Sequence, residues 1–197
     1  MLFLRKPDTT AIRSLLDQHK GQPFSYPDVG ATRTTPPAGW LINHMCERIG
    51  KGRALHERAV AALFSWQLLQ IDGLEVFPSS TTLQPNTNVA IRSRHFGIWS
   101  VDFCRVIYVL QDEPQKDGAV LRTGFAYGTL PGHAVRGEEI FSIAWHPATE
   151  EVWYDIYSFS LPATPLVRLV GPIAHATQRR FARASLEKAA RIAMFNG

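Results

Sequence analysis

Residues 124–141, which read GFAYGTLPGHAVRGEEIF, place two strand-like segments on either side of a turn. The Pro-Gly dipeptide in the middle is a typical turn sequence. Gly124 and Gly128 fall inside the first segment, where glycine often marks a bulge or a sharp bend. The stretch therefore predicts a β-hairpin with a bent first strand. Its loop, Pro131–Gly137, is longer than a tight hairpin needs, which is more typical of a site than of a plain turn.

Similar strand-like segments continue on both sides of this hairpin, separated by short turns rich in proline, glycine and asparagine. We predict strands at about 40–49, 74–78, 88–95, 98–111, 119–130, 138–146 and 151–160. The connections between the last six segments are too short for the crossovers that parallel strands require. The sequence therefore predicts one curved antiparallel sheet of about seven strands.

Three helices are predicted outside these strands. Residues 9–20 form a short helix that Asp8 or Thr9 can cap. A second helix follows residue 53 and places apolar side chains three or four residues apart on one face: Leu55, Ala59, Ala62, Leu63, Trp66 and Leu69. The third begins at Gly171-Pro172, because proline is favoured in the first turn, and runs to about Met194. Its expected apolar side consists of Ile173, Thr177, Phe181, Ala184 and Ile192.

These elements indicate an α+β fold in which a curved antiparallel sheet grips a long C-terminal helix, with an extra N-terminal helix. A helix laid across such a sheet tends to leave a cavity between the two. We expect residues 1–39, a helix and an irregular segment, to pack on a domain formed by residues 40–197.

The strand at residues 101–110 is apolar on both faces. One face carries Val101, Phe103, Ile107 and Val109, and the other carries Cys104, Val106, Tyr108 and Leu110. A sheet with one solvated face would alternate with polar residues, so a further element must cover the second face. Residues 1–39 are the best candidate, through Ile12, Leu15 and Leu16. A partner subunit is the alternative, which leaves a monomer or a homodimer.

The composition favours a globular protein without a membrane span. Hydrophobic residues make up 45% of the chain, as in ordinary globular domains. The apolar runs are far shorter than the roughly 18 residues that a spanning helix needs. Cys46 and Cys104 lie in apolar, strand-like segments, which predicts two buried free thiols in a reducing, cytoplasmic environment.

The net charge of +4 is concentrated in the last segment, where residues 166–197 contain six Lys and Arg residues and one Glu. The simplest interpretation of these cations is a solvated helix face. The alternative is an interaction module that binds an anionic polymer or surface. The helix lacks the interleaved aromatic residues of single-strand binders, so no nucleic-acid partner is expected.

His133 and Glu139 are the candidate catalytic residues, because a histidine within reach of a carboxylate can act as a general base. The alternative is that His133 hydrogen-bonds the backbone of its own loop. Glu139 shares the more apolar face of its strand with Phe141, so it is expected to point inward. Arg105 is a lone cation on an apolar strand face. A buried charge needs a partner, which predicts an Arg105–Glu139 ion pair, either structural or the anchor of a ligand site.

Aromatic residues flank these polar groups and complete the predicted site. The expected ligand-binding residues are Arg105, Tyr127, His133, Glu139 and Trp145. Core packing of Tyr127 is the alternative. The scattered histidines and cysteines show no spacing typical of a metal site, and no nucleophile elbow occurs, so we expect neither metal nor cofactor.

Several segments together resemble a known family. They are IGKGRALHERAVAALFSW at 49–66, RVIYVL at 105–110, the hairpin at 124–141, FSLP at 159–162 and VGPIAHATQRR at 170–180. The chain resembles the DUF1990 family, also called UPF0548. That family is similar to the helix-grip superfamily, which includes START-like lipid-transfer and polyketide-cyclase-like proteins. The resemblance implies a cavity for an apolar small molecule and no particular activity.

The functional expectation is therefore a protein that binds a small apolar or amphipathic molecule under its C-terminal helix. The first alternative is an enzyme that uses His133 and Glu139 for acid–base chemistry in the same cavity. The second is an anion-binding module that uses the basic helix.

Overall fold

The computed structural model describes residues 1–36, 38–78, 82–95, 97–116, 118–164 and 171–194. Its elements are β1 (Leu2–Phe3), α1 (Thr9–Gln18), β2 (Leu41–Lys51), α2 (Arg53–Phe64), β3 (Leu74–Phe77), β4 (Asn88–His95), β5 (Ile98–Gln115), β6 (Val120–Thr129), β7 (Val135–His146), β8 (Glu151–Pro162) and α3 (Gly171–Met194). A short 3-10 turn covers Ala31–Arg33.

The strands form one curved antiparallel sheet in the order β2-β8-β7-β6-β5-β4-β3, with the short β1 paired to β5. The seven long strands are the seven that the sequence predicts, and β1 is an addition. β7 begins at Val135, which shortens the predicted hairpin loop to residues 130–134. The fold prediction is confirmed, and among the described residues no helix is long and apolar enough to cross a membrane.

The glycines of the hairpin are required by close packing. An ideal Cβ at Gly124 would lie 2.1 Å from the carbonyl oxygen of Phe141, and one at Gly137 would lie 2.0 Å from that of Phe159. The register shifts occur in the neighbouring strand β5, between Val106 and Tyr108 and beyond Leu110. The predicted irregularity therefore exists, but the partner strand carries it.

α2 buries the predicted face against the sheet: Leu55, Ala59, Ala62, Leu63, Trp66 and Leu69 are all buried. The α-helix ends at Phe64, earlier than the Asp72-Gly73 stop that its sequence indicates. Trp66 adopts φ +64°, in the left-handed region that interrupts a helix. Its ring then packs edge-on against Phe125, 5.0 Å away, and so ties the end of α2 to β6.

α3 packs on the sheet through a different face from the one predicted. Its buried side chains are Ala182, Ser185, Leu186 and Ala189. The Ser185 hydroxyl donates to the Leu68 carbonyl oxygen at 2.7 Å and hydrogen-bonds the Tyr154 hydroxyl at 2.9 Å. Phe181 and Ile192 are partly buried against this core. The side chains of Ile173 and Thr177, also predicted on the apolar side, lie outside the described residues.

The N-terminal segment packs on the face of the sheet opposite the main core. Asp8 caps α1 by accepting a hydrogen bond from the Ala11 N–H at 2.7 Å. Ile12 and Leu16 of α1 are buried against the sheet in a cluster with Ala90, Val101, Phe103 and Leu130. The division of the chain at residue 39 stays a prediction.

The covered face is the opposite of the one expected at the start of β5. Val101 and Phe103 pack under α1, whereas Cys104 and Val106 join the main core. The register shift after Val106 exchanges the two faces, so that Val109 packs against the main core. The side chains of β5 therefore do not alternate between the two faces of the sheet in one unbroken pattern along the whole strand.

The predicted Arg105–Glu139 ion pair is wrong. In the sheet, Arg105 of β5 lies opposite Gly128 of β6, and Gly128 lies opposite Glu138 of β7. Glu139 lies one residue further along β7, opposite Tyr127. Neighbouring residues of a strand point to opposite faces, so Arg105 and Glu139 lie on opposite sides of the sheet. Arg105 instead donates to the carbonyl oxygens of His19 at 3.0 Å and Gln22 at 2.7 Å, and to Asn88 Oδ1 at 2.7 Å.

Arg105 is thus a clamp on the end of α1, which gives a testable expectation. Arg105→Met removes three hydrogen bonds from a charged donor, two of them to backbone carbonyls. The His19 carbonyl would keep only the long hydrogen bond from the Gln22 N–H, at 3.4 Å. We expect the free energy of unfolding, measured by urea denaturation, to fall by about 2–3 kcal/mol. Arg13→Met, at the rim of the same pocket beside α1, is the control and should change it by less than about 0.5 kcal/mol. Equal effects of the two substitutions would contradict the clamp.

The two thiols differ from expectation in one respect. Both cysteines are free, and Cys104 is buried as predicted, but Cys46 is exposed on β2.

Candidate functional site

A cavity of about 1150 Å³ lies between α3 and the sheet face that it covers. Its described apolar lining includes Ile91, Val135, Phe159, Phe181, Ala184 and Ile192. Polar side chains from the ends of β4 to β8 interrupt this lining, among them Ser93, Asp102, Glu139 and Ser158. A large apolar wall with a few polar groups is typical of a small-molecule pocket.

The central polar group of the cavity is a tyrosine–glutamate pair. Tyr127 on β6 and Glu139 on β7 are direct cross-strand neighbours. The Tyr127 hydroxyl donates to Glu139 Oε2 at 3.0 Å. Burial raises the pKa of Glu139 to about 7, although the hydrogen bond from Tyr127 opposes this rise. The carboxyl group therefore changes its charge near neutral pH.

The raised pKa of Glu139 predicts a pH-dependent loss of stability. Between its ordinary value of 4.5 and about 7, the folded protein keeps a proton that the unfolded chain releases, so stability falls as the pH rises through this range. Relative to Glu139→Gln, the wild-type free energy of unfolding should drop by about 3 kcal/mol between pH 4.5 and pH 8. Urea denaturation at several pH values measures this. Glu47→Gln on an exposed strand is the control, and parallel pH profiles for wild type and Glu139→Gln would contradict the prediction.

His133 lies at the edge of the same cavity and is held by its own loop. Its Nδ1 accepts the N–H of Val135 at 3.1 Å, so the neutral ring carries its proton on Nε2. Asp102 Oδ1 is 3.9 Å from the same Nδ1 and accepts the N–H of Ala134 at 3.3 Å. Burial lowers the pKa of His133, and the neighbouring Asp102 only partly opposes this. The ring is therefore neutral at neutral pH and offers a donor, which agrees with the backbone-bonded alternative.

Of the five predicted site residues, the structure brings together Tyr127, His133 and Glu139 along the cavity. The other two lie elsewhere. Arg105 lines a second pocket of about 510 Å³ beside α1, on the opposite face of the sheet. Trp145 stacks against His56 of α2, with ring centroids 5.5 Å apart, and packs on the main core. Both are corrections. Trp145 lies near the end of β7 that the cavity does not reach, whereas Arg105 lies on the other face of the sheet.

Glu138, the neighbour of Glu139 on β7, is a second buried carboxylate. It is 3% exposed and lies under the N-terminal segment, not in solvent. Its carboxylate accepts hydrogen bonds from the Tyr26 hydroxyl at 2.8 Å, the Gly30 N–H at 2.7 Å and the Thr32 N–H at 3.0 Å, and also from the Thr32 hydroxyl. Adjacent glutamates thus serve opposite faces: Glu138 fastens residues 26–32, and Glu139 faces the cavity.

The basic residues of α3 are the part of the site that sequence reasoning missed. Arg180, Arg183, Lys188 and Arg191 all line the cavity, together with Glu187. The sequence contains the signal, because residues 180, 183, 187 and 191 are spaced three or four apart, as on one side of a helix, and three of them are arginines. The predicted apolar face of the helix instead places these cations on a side that faces solvent.

Comparisons with known proteins agree with this architecture. A family model described as "Domain of unknown function (DUF1990)" matches residues 25–188. A UPF0548 protein of Deinococcus radiodurans is 35% identical over 194 residues, which cover 93% of this chain and 94% of that protein. A UPF0548 protein of Arabidopsis thaliana is 36% identical over 149 residues, which cover 76% of this chain and 71% of that one.

Two solved structures are similar in fold, each with a TM-score of 0.52. A hypothetical protein from Helicobacter pylori is 12% identical, and the match covers 87% of this chain and 96% of that protein. Ara h 8.0201 is 11% identical, and the match covers 80% of this chain and all of that protein. At such low identity these matches show the helix-grip fold alone.

Proposed function

The chain belongs to the DUF1990 family of domains of unknown function, and we propose that its cavity binds a small molecule with an apolar body. The observation that carries the proposal is the cavity itself, about 1150 Å³ in volume. It is large enough for a drug-sized molecule, and close packing normally fills protein interiors. Space of this size, with apolar walls and polar groups such as the Tyr127–Glu139 pair, supports reversible binding of an amphipathic ligand.

The arrangement supports orientation of the ligand as well as burial. Phe181 of α3 and Ile91 of β4 supply apolar surface, while the Tyr127–Glu139 pair and Ser158 supply hydrogen-bonding groups on the sheet. A ligand that bonds to these groups would turn one polar end toward the sheet.

Binding can be tested with N-phenyl-1-naphthylamine, a neutral aromatic probe whose fluorescence rises in apolar surroundings. We expect Ala184→Trp to weaken probe binding by about tenfold, because the indole would occupy part of the cavity beside Phe181. Ala190→Trp is the matched control, since Ala190 is partly buried on the same helix and is not among the described lining residues. A thermal melt of each variant confirms that it is folded.

The proposal would fail if the wild-type protein did not bind the probe. It would also fail if Ala184→Trp and Ala190→Trp had the same affinity as wild type.

A second candidate function is acid–base catalysis in the same cavity, and one observation favours it. Glu139 faces the cavity with a pKa of about 7, the value that suits a general base or acid at neutral pH. His133 would supply a hydrogen-bond donor through Nε2, because its Nδ1 is engaged with Val135. In this arrangement Glu139 moves the proton and His133 only positions the substrate.

Base competence can be measured with 5-nitrobenzisoxazole, whose ring opens when a base removes its carbon-bound proton. We expect wild-type protein to accelerate this reaction with an apparent pKa near that of Glu139, and Glu139→Gln to lose the acceleration. A reaction equally fast with Glu139→Gln would exclude Glu139 as the base.

Two further expectations remain proposals. Free thiols at Cys46 and Cys104 support a reducing, cytoplasmic location. Coverage of both faces of β5 within one chain supports a monomer, which sedimentation analysis would test.

A further inference from the structure

We propose that the ligand of this cavity is an anion, a molecule whose carboxylate, sulfonate or phosphate group is bound at the cavity mouth by Arg180, Arg183 and Arg191 of α3. The inference rests on the proposed function and adds the chemical class of the ligand. It also gives the basic helix a role that differs from binding a polymer.

The three arginines are exposed, and all three line the cavity. Within the described part of the chain they make neither ion pairs nor hydrogen bonds. Lys188 differs, because its ammonium group donates to the carbonyl oxygen of Gln70 at the opposite lip of the cavity. Arg94 of β4 also lines the cavity, with its guanidinium group over the Trp99 ring. On the helical side, the three guanidinium groups of α3 remain available to a ligand.

Ordinary helix electrostatics accounts for this set only in part. Glu187 lies four residues from both Arg183 and Arg191, a favourable spacing, but it forms no ion pair with either of them in the described structure. Arg180 and Arg183 are three residues apart, and like charges at this spacing disfavour a helix. The negative end of a helix dipole can stabilise a cation in the last turn, which accounts for Arg191 alone. Arg180 and Arg183 lie in the middle of α3, where no such compensation acts.

No acidic residue of the described cavity lining, Asp72 included, forms an ion pair with these arginines. Asp102 accepts hydrogen bonds from Ser100 and Ala134, and Glu139 accepts one from Tyr127, so both carboxylates are engaged with the sheet. Glu187 is the one acid among the described lining residues of α3. The mouth therefore keeps a net positive charge on its helical side.

Apolar and cationic groups alternate along the same part of α3. Phe181 and Ala184 are adjacent in sequence to Arg180 and Arg183, and all four line the cavity. One molecule can therefore place its apolar body inside while a guanidinium group binds its anionic group. Guanidinium suits this task because its planar donors match carboxylate, sulfonate and phosphate oxygens.

The test compares two probes that differ by one sulfonate group. N-phenyl-1-naphthylamine is neutral, and 8-anilinonaphthalene-1-sulfonate has the same aromatic body with one sulfonate. We expect wild-type protein to bind the sulfonate about tenfold more tightly than the neutral probe. Arg180→Gln/Arg183→Gln/Arg191→Gln should abolish that preference and leave the neutral probe's affinity unchanged. Arg179→Gln, at an exposed arginine of α3 outside the described lining, should keep the preference.

Equal affinities of wild type for the two probes would overturn the inference and leave the proposed cavity intact. An equal loss of affinity for both probes in the triple variant would also overturn the inference, because the arginines would then stabilise the structure of the cavity rather than bind the anionic group. Binding to phosphatidylglycerol vesicles that depends on the arginines, without a preference for the sulfonate probe, would replace it with a membrane surface. Failure of the sulfonate probe alone to bind would overturn the inference, whereas failure of both probes to bind would refute the proposed function itself.

Discussion

Glu138→Ala is expected to lower the free energy of unfolding by about 4 kcal/mol, because alanine leaves several buried donors without an acceptor. The Tyr26 hydroxyl and the N–H groups of Gly30 and Thr32 all donate to this carboxylate within 3.0 Å. Each unsatisfied buried donor costs about 1–3 kcal/mol. Urea denaturation followed by circular dichroism measures the loss, and faster proteolysis within residues 22–36 should accompany it.

Glu113→Ala provides the matched control for Glu138. Glu113 also bonds the N-terminal segment, through Arg33 at 3.0 Å, but both side chains are more than one third exposed. An exposed pair of this kind contributes at most about 1 kcal/mol. Glu138→Gln keeps one acceptor oxygen, so its loss in free energy of unfolding should lie between those of Glu113→Ala and Glu138→Ala. Similar losses for Glu113→Ala and Glu138→Ala would contradict the assignment of Glu138 as the anchor.

Gly137→Ala should have the second-largest effect, a loss of about 4 kcal/mol or failure to fold. Gly137 adopts φ +149°, which L side chains rarely adopt, and its Cβ would lie 2.0 Å from the Phe159 carbonyl oxygen of β8. Backbone strain and overpacking each cost about 1–3 kcal/mol, and here they act together. Denaturation of the purified variant measures the loss.

Gly132→Ala separates the two causes in the same hairpin. Gly132 also has a positive φ, +88°, but its Cβ would meet no atom nearer than 3.9 Å. Gly132→Ala should therefore lower the free energy of unfolding by only about 1 kcal/mol. If Gly137→Ala lost no more than Gly132→Ala, the close approach of β7 and β8 would not limit this position.

The strands and their order along the chain could be predicted because apolar alternation and turn residues mark them directly. The covering of β5 by α1 could also be predicted, because both faces of that strand are apolar. The bulge in β5 after Val106 could not be predicted, since one extra residue leaves no trace in the composition. That bulge exchanges the faces of β5, which is why Val101 and Phe103 were assigned to the wrong side.

The error at Arg105 has a different physical origin. Its partners are backbone carbonyls of His19 and Gln22 and the side chain of Asn88, and none of these is acidic. Pairing charges of opposite sign along the sequence cannot reveal such a site. The same limitation applies to Glu138. Its role as an anchor could not be predicted, because its carboxylate accepts hydrogen bonds from two backbone N–H groups and two hydroxyls rather than from a cation.

The face of α3 was misjudged because small residues carry its packing. Ala182, Ser185 and Ala189 are buried, yet a hydropathy pattern gives them little weight beside Phe181 and Ile192. The predicted orientation of the helix about its axis is therefore wrong, and it leaves the arginines on a face turned away from the sheet. The structure moves them to the cavity mouth, and this single correction turns a solvated face into a candidate recognition surface.

Amide chemical-shift mapping with N-phenyl-1-naphthylamine tests the central claim, that this cavity binds a small molecule, most directly. The predicted result is a set of saturable shifts concentrated at Tyr127, Glu139, Ser158 and Ala184. Shifts confined to the pocket beside α1, at Arg13, Leu16 and Lys20, or no saturable shifts at all, would contradict the claim.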